Sequence, residues 1–306
     1  MLTLKKTYKQ VFVNRTELGK GIKTILFTNV RNELHMKEWC IHHLLLGFDY
    51  ICIFDHKSTI PLQKELKNFD KRVSIIRCEW PNPVKIPLMK QSVKIAKQLN
   101  IDWLLYLDAD EFLILNSFQN IKQMLSIFKN SDSLAINWLM FGTNNHIKDP
   151  TGTIIENYTK SELLLNKHVK SFVRPSQVTN ITNAHFFHII NPLLRVSVQQ
   201  NIMDLNHPEF NQCLIEYAKT PAYIAHYIYQ SEETYINRKL KLPCDDANIF
   251  RNKEDNIHDK YNNVDNMSVV NKYLDNINKY LSSSTSSSTS SSSSSTSSST
   301  FSASTI

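Results

Sequence analysis

The feature that most constrains the fold is a short apolar run that ends in three acids, DWLLYLDADEF at residues 102–112. A continuous apolar run of this length is typical of a parallel strand that is covered on both faces of a sheet. Open α/β sheets bind ligands beyond the carboxyl ends of such strands, so Asp108, Asp110 and Glu111 are predicted to lie at a binding edge. The alternative is structural, because acids at this position also open loops or cap helices.

The spacing of these acids suggests a metal site. In an extended chain residues i and i+2 point the same way, so Asp108 and Asp110 could hold one hard cation, Mg²⁺ or Mn²⁺, while Glu111 faces elsewhere. The chain has five glycines and contains neither GxGxxG nor GxxxxGK[ST], which disfavours P-loop kinases and ordinary dinucleotide-dependent oxidoreductases. If a diphosphate binds, its charge must be met by a cation, for which these two aspartates are the available ligands.

Short apolar runs alternate with helix-like segments through the first half of the chain. The predicted strands are 24–27, 50–54, 73–76, 102–107 and 134–138, and the predicted helices are 33–46, 61–69, 88–99 and 118–128. Gly47 stands where a helix C-terminal glycine belongs. This alternation predicts an α/β fold with a doubly wound, mainly parallel central sheet and helices on both faces.

The second half of the chain is less regular. Further strands are predicted at 170–173 and 223–229, and Ser231 followed by two acids predicts the start of a helix that runs to about residue 240. The sequence thus divides into a basic N-terminal arm (1–20), one catalytic domain (21–245), a peripheral segment of helix and loop (246–281) and a disordered Ser/Thr-rich tail (282–306).

Charge and composition bound the partners and the compartment. The formal net charge is +7, but the arm contributes +4 of it, and we see no Lys/Arg stripe with interleaved aromatics, so no nucleic-acid partner is predicted. The five cysteines form no CxxC pair, and no run approaches the roughly 18 apolar residues of a membrane span. We expect a soluble cytoplasmic protein without a transmembrane segment. The Asn, Ile and Lys usage suggests an AT-rich genome, and for a viral source the host cytoplasm is the expected location.

Seven segments, in order, resemble one enzyme family. The Asp-Ala-Asp-Glu-Phe sequence at 108–112 resembles the metal-binding motif of GT-A-fold glycosyltransferases, in the family-two-like group, and is similar to that of the family 92 glycosyltransferases. The companion segments are Arg31-Asn32-Glu33, Glu38-Trp39 with His43 and Gly47, Asp55 with Ser58, residues 138–142, residues 170–175, and His226-Tyr227 with Ser231-Glu232-Glu233 and Lys239. The resemblance covers about residues 23–245. Arg31 stands where lysine is usual, and the Leu-Lys-Leu-Pro after Lys239 replaces an expected Arg-Gly, which leaves the acceptor side in doubt.

The resemblance implies a metal-dependent transfer of a sugar from a nucleotide-diphosphate donor, with UDP-sugars favoured, to a hydroxyl of a glycan, protein or lipid. The implied metal ligands are Asp108 and Asp110, with Mn²⁺ or Mg²⁺ as the ion. The implied nucleoside contacts are Asn29, Arg31, Asn32 and Glu33, with Asp55 accepting from the base or ribose. Arg174 could meet a phosphate or a carboxylate.

Two roles remain open between functional and structural readings. An inverting transfer needs a carboxylate base, for which Glu232 or Glu233 is the candidate, although acids in a first helical turn are also favoured by the helix dipole. A third metal ligand could be His185, His188 or His226. His226 is preferred, because the family places His-Tyr before its Ser-x-Glu-Glu, although a histidine in an aromatic run is often only a core residue.

Two other classes of protein compete with this interpretation. A phosphatase of the haloacid dehalogenase kind also ends a strand in Asp-x-Asp, but Glu111 and Phe112 argue against it. A sugar- or nucleotide-binding module that has lost catalysis would keep the same motifs.

Overall fold

The computed structural model describes residues 21–289, with side chains as far as Ser282. The basic arm and residues 290–306 of the Ser/Thr-rich tail lie outside the described residues. Within the described part, no helix combines the length and apolar character that a membrane crossing requires.

One mixed sheet of nine strands forms the centre of the domain. Its strands follow the order β3-β2-β1-β4-β8-β6-β12-β5, and β11 pairs with β6. They are β1 (Thr24–Val30), β2 (Tyr50–His56), β3 (Val73–Cys78), β4 (Trp103–Tyr106), β5 (Glu111–Leu115), β6 (Ser133–Met140), β8 (Val169–Val173), β11 (Arg195–Ser197) and β12 (Ala222–His226). Two small ribbons pair β7 (Lys160–Ser161) with β13 (Val264–Asp265) and β9 (Val178–Asn180) with β10 (His188–Ile189).

The first four strands are parallel and β8 then reverses the direction. Strands β1, β2, β3 and β4 pair in parallel, whereas β8 runs antiparallel to both β4 and β6. Strand β12 is parallel to β6 and antiparallel to β5. The predicted α/β class is therefore confirmed, with a sheet that is mostly parallel on one side and mixed on the other.

Helices cover both faces of this sheet. They are α1 (Met36–Leu45), α2 (Leu62–Glu65), α3 (Lys85–Gln98), α4 (Ile121–Ile127), α5 (Ile154–Asn157), α6 (Glu232–Thr234) and α7 (Ser268–Thr289), and a π-helix follows α6 over Tyr235–Leu240. Alternate side chains of β1 enter opposite cores: Leu26 packs in the core that contains α1, while Ile25 and Phe27 pack in the core that contains α3. This alternation is the period of two that a strand imposes.

The C-terminal segment completes one of these cores. Residues 246–281 contain strand β13 and most of α7, and Val269, Tyr273 and Ile277 of α7 are buried in the same core as α1. Helix α7 continues to Thr289, past the boundary at residue 281 that the composition predicts.

The chain is not extended through the three acids, and this part of the prediction is wrong. Strand β4 ends at Tyr106, and the chain then turns, so that the Glu111 amide donates to the Asp108 carbonyl at 3.1 Å. Strand β5 begins at Glu111 and returns antiparallel to β12. The reversal sends Asp108 and Asp110 in different directions, and the alternation of an extended strand no longer applies.

Side chains of α1 and α7 hold the free edge of β5. The Trp39 indole donates to the Glu111 carbonyl at 2.8 Å, and His42 Nε2 donates to the Leu113 carbonyl at 2.8 Å. His43 Nε2 accepts from the Leu113 amide at 3.3 Å, and the Tyr273 hydroxyl accepts from the Leu115 amide at 3.1 Å. Unpaired backbone groups of an edge strand must find partners when they are buried, and these side chains supply them.

Candidate active site

One cleft lies at the carboxyl edge of the parallel strands. Its lining comes from the loop after β1, the turn after β4, the start of α3, the π-helix and the loop that follows it. The lining residues are Asn29, Arg31, Glu33, Lys85, Asp108, Ala109, Asp110, Arg238, Lys239, Leu242, Pro243, Cys244, Asp245, Asp246 and Arg251. This is where the sheet topology predicts a ligand site.

Asp108 faces two lysines. Its carboxylate contacts the Lys85 ammonium and lies 3.0 Å from Lys170 Nζ, and about a third of its side chain is exposed (31%). Both lysines are almost fully buried. Burial, together with the neighbouring Lys170, lowers the pKa of Lys85 to about 8. Asp108 is therefore already neutralised by protein cations.

Glu111 lies behind this group, away from the cleft. Its carboxylate accepts from the Asp108 amide at 2.8 Å and lies 3.6 Å from Lys170 Nζ. Burial raises its pKa to about 7 against the opposing effect of Lys170. Glu111 thus braces the turn that carries Asp108, which agrees with the prediction that it faces away from the cation site.

Asp110 faces a different group. Its carboxylate lies 2.5 Å from Lys239 Nζ and 3.6 Å from His226 Nε2, and it is buried. Burial alone would raise the pKa of Asp110, but Lys239, His226 and Arg238 hold it well below its usual range. Burial lowers the pKa of His226 to about 3, so its imidazole is neutral at neutral pH. Of the three candidate histidines, His226 is beside Asp110, whereas His185 donates to the Val169 carbonyl at 3.0 Å and His188 pairs with Thr182 at 2.8 Å.

The loop after β1 meets an acid from far along the chain. Asn29 donates to Asp245 at 2.6 Å and Arg31 donates to it at 3.1 Å. The Asp245 carbonyl accepts from the amides of Val84 and Lys85, at 2.9 and 3.1 Å, where α3 begins. Despite burial, His56 and Arg31 keep the pKa of Asp245 below its usual value.

Glu33 also lines the cleft, where it is ion-paired with Arg238. Burial raises its pKa, with Asp110 acting in the same direction and Arg238 opposing it. Asn29, Arg31 and Glu33 therefore lie together as the sequence predicts, while Asn32 does not line the cleft. Its amide donates to the Ser58 hydroxyl at 3.1 Å, and its side chain accepts from the Thr59 amide at 2.8 Å. Asn32 joins two loops.

The structure does not bring Asp55 into the cleft, and its predicted nucleoside contact needs correction. The carboxylate is fully buried, and it accepts from the amides of Ser58 and Leu62 at 3.3 and 3.0 Å. It also lies 3.1 Å from the Arg77 guanidinium. With both oxygens used and no exposed surface, Asp55 fixes the loop after β2.

Arg174 requires a similar correction, since it lies at the opposite edge of the sheet. Val173 pairs with Leu104 and Ser133, near the starts of β4 and β6. The guanidinium donates to the carbonyls of Ser131 and Lys129 at 2.9 and 2.7 Å. It therefore holds a loop and cannot reach a phosphate in the cleft.

Glu232 and Glu233 face the loop at 146–149, and neither lines the cleft. The Glu233 carboxylate accepts from the Asp149 amide at 3.1 Å, and Glu232 lies 3.7 Å from His258 Nε2. Their amides donate to the carbonyls of His146 and Ile147, both at 3.0 Å. The geometry fits the structural alternative, in which both acids begin a helix and hold a neighbouring loop.

The donor set fits a divalent cation only in part. Within residues 21–289, no three His, Cys, Asp or Glu side chains form a group that could hold a metal ion. Asp110 and His226 are the pair whose oxygen and nitrogen could share one ion. Asp108 points instead into its two lysines, because the turn separates it from Asp110.

The prediction of the site missed the cations and Asp245. Lys170 and Lys239 belong to the matching segments, but the sequence predicts no role for either of them in the site. Lys85, Arg238 and Arg251 carry no local signal, since lysine and arginine are common on surfaces. Only the tertiary structure shows that they converge.

Acids and cations meet at the carboxyl edge of this α/β sheet, where folds of this class bind their ligands. The chain belongs to glycosyltransferase family 92, whose family model matches residues 22–282. The resemblance predicted from the seven segments is confirmed, and the match extends past residue 245 into α7. Membership of this family gives no support to the phosphatase alternative.

Curated relatives carry the same family name. A glycosyltransferase family 92 protein of Oryza sativa subsp. japonica is 25% identical over 220 residues, which are 69% of this chain and 38% of that protein. One from Ricinus communis is 24% identical over 226 residues, 71% of this chain and 41% of that protein. The chain spans about two fifths of the length of the curated relatives it matches.

Solved structures show low similarity. A cytidylyltransferase from Leptospira borgpetersenii serovar Hardjo-bovis has a TM-score of 0.28 and 12% identity, covering 51% of this chain and 60% of its own. HddC from Yersinia pseudotuberculosis has a TM-score of 0.35 and 9% identity, covering 61% of this chain and 96% of its own.

Proposed function

We propose that this glycosyltransferase takes a nucleotide-diphosphate sugar, with a UDP-sugar favoured, and transfers the sugar with inversion to a hydroxyl of a glycan, protein or lipid. The proposal places the reaction in a GT-A-like arrangement. The observation that supports it is the convergence in one cleft of Asp108 and Asp110 from the motif, of Asn29 near the end of β1 and Glu33 after it, and of five arginine and lysine side chains. Such a cleft offers charge partners for a diphosphate and polar contacts for a nucleoside.

The direction of attack follows from inversion. The acceptor oxygen forms its bond to the anomeric carbon on the face opposite the diphosphate, while the bond from that carbon to the diphosphate oxygen breaks. The proton of the acceptor hydroxyl must pass to a base. The cations of the cleft stabilise the negative charge that develops on the leaving diphosphate.

A divalent cation, Mn²⁺ or Mg²⁺, belongs to the same proposal. Asp110 and His226 are the residues that would hold it, with Asp108 remaining on its lysines. When bound, such an ion adds positive charge at the leaving diphosphate. The buried Asp110 carboxylate and the neutral His226 imidazole have the protonation states that a metal ligand needs.

The test is donor turnover by the purified chain. A panel of UDP- and GDP-sugars is incubated with Mn²⁺, and nucleoside diphosphate release is measured with and without EDTA. We expect release from a subset of donors, a fall of at least about tenfold with EDTA, and a larger fall in Asp110→Asn. Asp275→Asn is the matched control, because Asp275 is exposed on α7.

Three outcomes would contradict the proposal. A chain that binds these donors without ever releasing the diphosphate would be the inactive module. Equal turnover in wild type and Asp110→Asn would remove the cleft from the reaction. The anomeric configuration of the product, followed by NMR, would exclude inversion if it matched that of the donor.

A further inference from the structure

Two neighbouring cations of the cleft come from an unusual helical turn. Arg238 and Lys239 are consecutive residues of the π-helix, whose wider turn is marked by the bond from the Lys241 amide to the Ile236 carbonyl at 3.1 Å. In a regular α-helix neighbouring side chains diverge by about 100°. Here both line the cleft. Single π-turns are frequently found at functional sites, and this one directs two positive charges to one place.

Both cations are mostly buried and each is held by one carboxylate. The exposed fraction is 11% for the Arg238 side chain and 15% for Lys239. Arg238 pairs with Glu33, and Lys239 lies 2.5 Å from Asp110. The Arg238 Nε atom is buried without a hydrogen-bond partner, so this guanidinium has one N–H group that could donate to a ligand. Burying such charges is costly unless they are paired, which explains why an acid holds each of them.

The charges along the cleft lining balance. Five lining residues are cationic (Arg31, Lys85, Arg238, Lys239 and Arg251) and five are acidic (Glu33, Asp108, Asp110, Asp245 and Asp246). An anion that enters cannot rely on an excess of positive charge. It must instead draw some cations away from the acids that hold them. Long, flexible side chains at the cleft wall can make this exchange without backbone movement.

We propose that Arg238 and Lys239 form the diphosphate site of this enzyme by partner exchange, in which the diphosphate replaces the carboxylates of Glu33 and Asp110 as their counterion. This inference rests on the proposed function for the identity of the ligand, a nucleoside diphosphate. It gives Asp110 a second role. Its carboxylate holds Lys239 before the diphosphate binds and competes with the diphosphate for Lys239 afterwards. Arg238 and Lys239 are thus binding residues for the leaving group.

If Asp110 competes with the diphosphate, neutralising Asp110 should raise the affinity for pyrophosphate. If the ion pair is only structural, the same change should not raise that affinity. Inorganic pyrophosphate is titrated into the chain by calorimetry in buffer with EDTA, so that no metal contributes. In Asp110→Asn the competing charge is gone, and we expect pyrophosphate to bind about threefold to tenfold more tightly than to wild type. In Lys239→Met we expect binding about tenfold to a hundredfold weaker, the range for a hydrogen bond to a charged group.

Two further variants distinguish a loss of pyrophosphate binding from a loss of folding. Lys239→Met leaves Asp110 buried without its ammonium, so the double variant Asp110→Asn/Lys239→Met removes both partners together. We expect it to lose the gain seen in Asp110→Asn alone. Lys241→Ala is the matched control, because Lys241 is exposed at the end of the same helix, contacts Asn237 at 2.9 Å and does not line the cleft. Its pyrophosphate affinity should stay within about twofold of wild type.

Each remaining outcome decides between the two proposals. If Asp110→Asn binds pyrophosphate no better than wild type, or the double variant keeps the gain, the exchange is wrong even if sugar transfer is measured. If the pattern holds but no nucleotide-sugar is bound or turned over, the anion site stands and the proposed function fails. A wild-type chain that binds neither pyrophosphate nor any nucleoside diphosphate overturns both.

Discussion

Strand β8 carries one cation near each end, and the two have different surroundings. Lys170 lies at the cleft end, 3.0 Å from Asp108 and 3.6 Å from Glu111, with 2% of its side chain exposed. Arg174 lies just past the other end, where it donates to two loop carbonyls, and its side chain is 25% exposed. Only three residues separate them in sequence, but they are at opposite edges of the sheet.

The direction of one strand explains the difference. Strand β8 runs antiparallel to β4, so its first residues lie beside the carboxyl end of β4 and its last residues beside the start. From its sequence, Arg174 is a candidate partner for a phosphate or for a carboxylate. Local sequence carries no information on strand direction within the sheet, and the choice between two cations of one segment depends on that direction.

The largest expected effect is a difference in unfolding free energy between variants that lack Lys170 and variants that lack Arg174. Lys170→Met removes the ammonium 3.6 Å from the buried Glu111 carboxylate and leaves Asp108 with Lys85 as its remaining lysine, which should cost about 3 to 5 kcal/mol of unfolding free energy. Arg174→Met loses hydrogen bonds to two carbonyls near the surface and should cost about 1 to 2 kcal/mol. Urea denaturation of both variants measures the difference. Equal losses of unfolding free energy would mean that Lys170 contributes no more to stability at the cleft end than Arg174 does at the other end.

The second prediction compares the two ends of β8 through the pH dependence of the unfolding free energy. It concerns Glu38 of α1, the helix that packs at the cleft end. Burial raises the pKa of Glu38 to about 7 against the opposing amides of Ile155 and Ile154, while Glu156 adds to the rise. Because the folded state binds this proton more tightly than the unfolded state, the stabilisation is full below about pH 4.5. It is lost as the pH rises through 7, and amounts to about 3 kcal/mol.

Glu38→Gln should therefore flatten the fall in unfolding free energy between about pH 4.5 and 8, as followed by urea denaturation at each pH. Arg174→Met serves as the control, since we expect it to shift the whole curve downward with the slope of wild type. A slope in Glu38→Gln as steep as that of wild type would contradict the assignment to Glu38.

A smaller effect tests how α1 holds the turn of acids. Trp39→Phe keeps the apolar packing but removes the indole donor to the Glu111 carbonyl, which stays buried. We expect a loss of about 1 to 2 kcal/mol in unfolding free energy, together with lower donor turnover. Turnover lost without any loss of stability, or stability lost with turnover unchanged, would show that the turn and the cleft are uncoupled.

The smallest expected effect is on donor turnover in variants of Glu232 and Glu233, the two predicted candidates for the catalytic base. Glu232→Gln and Glu233→Gln should each keep donor turnover within about twofold of wild type, because the Glu233 carboxylate faces Asp149, the Glu232 carboxylate faces His258, and neither lines the cleft. The assay is the nucleoside diphosphate release described above, with acceptor present. A loss above about a hundredfold in either variant would restore the predicted base and require the π-helix region to move on substrate binding.

Local sequence was sufficient for the class of fold and for the position of the site. The alternation from β1 to β4 follows from periodicity, and Gly47, with φ of +98°, ends α1 where the sequence predicts it. The acids after β4 lie at the predicted edge because parallel strands connected by helices must place their carboxyl ends together. The ordered segments around them were enough to indicate the family.

Tertiary structure decided which side chains share the cleft. The turn at 108–111 separated the two aspartates, and burial removed Asp55 from the cleft. The reversed direction of β8 removed Arg174 and placed Lys170 beside Asp108. Asp245 reached Asn29 and Arg31 across more than 200 residues of chain. The sequence by itself determined the edge at which the candidate site lies, since that depends on local periods and short connections. The partners at that edge depend on long-range strand pairing and on the cost of burying unpaired charge, which no local pattern encodes.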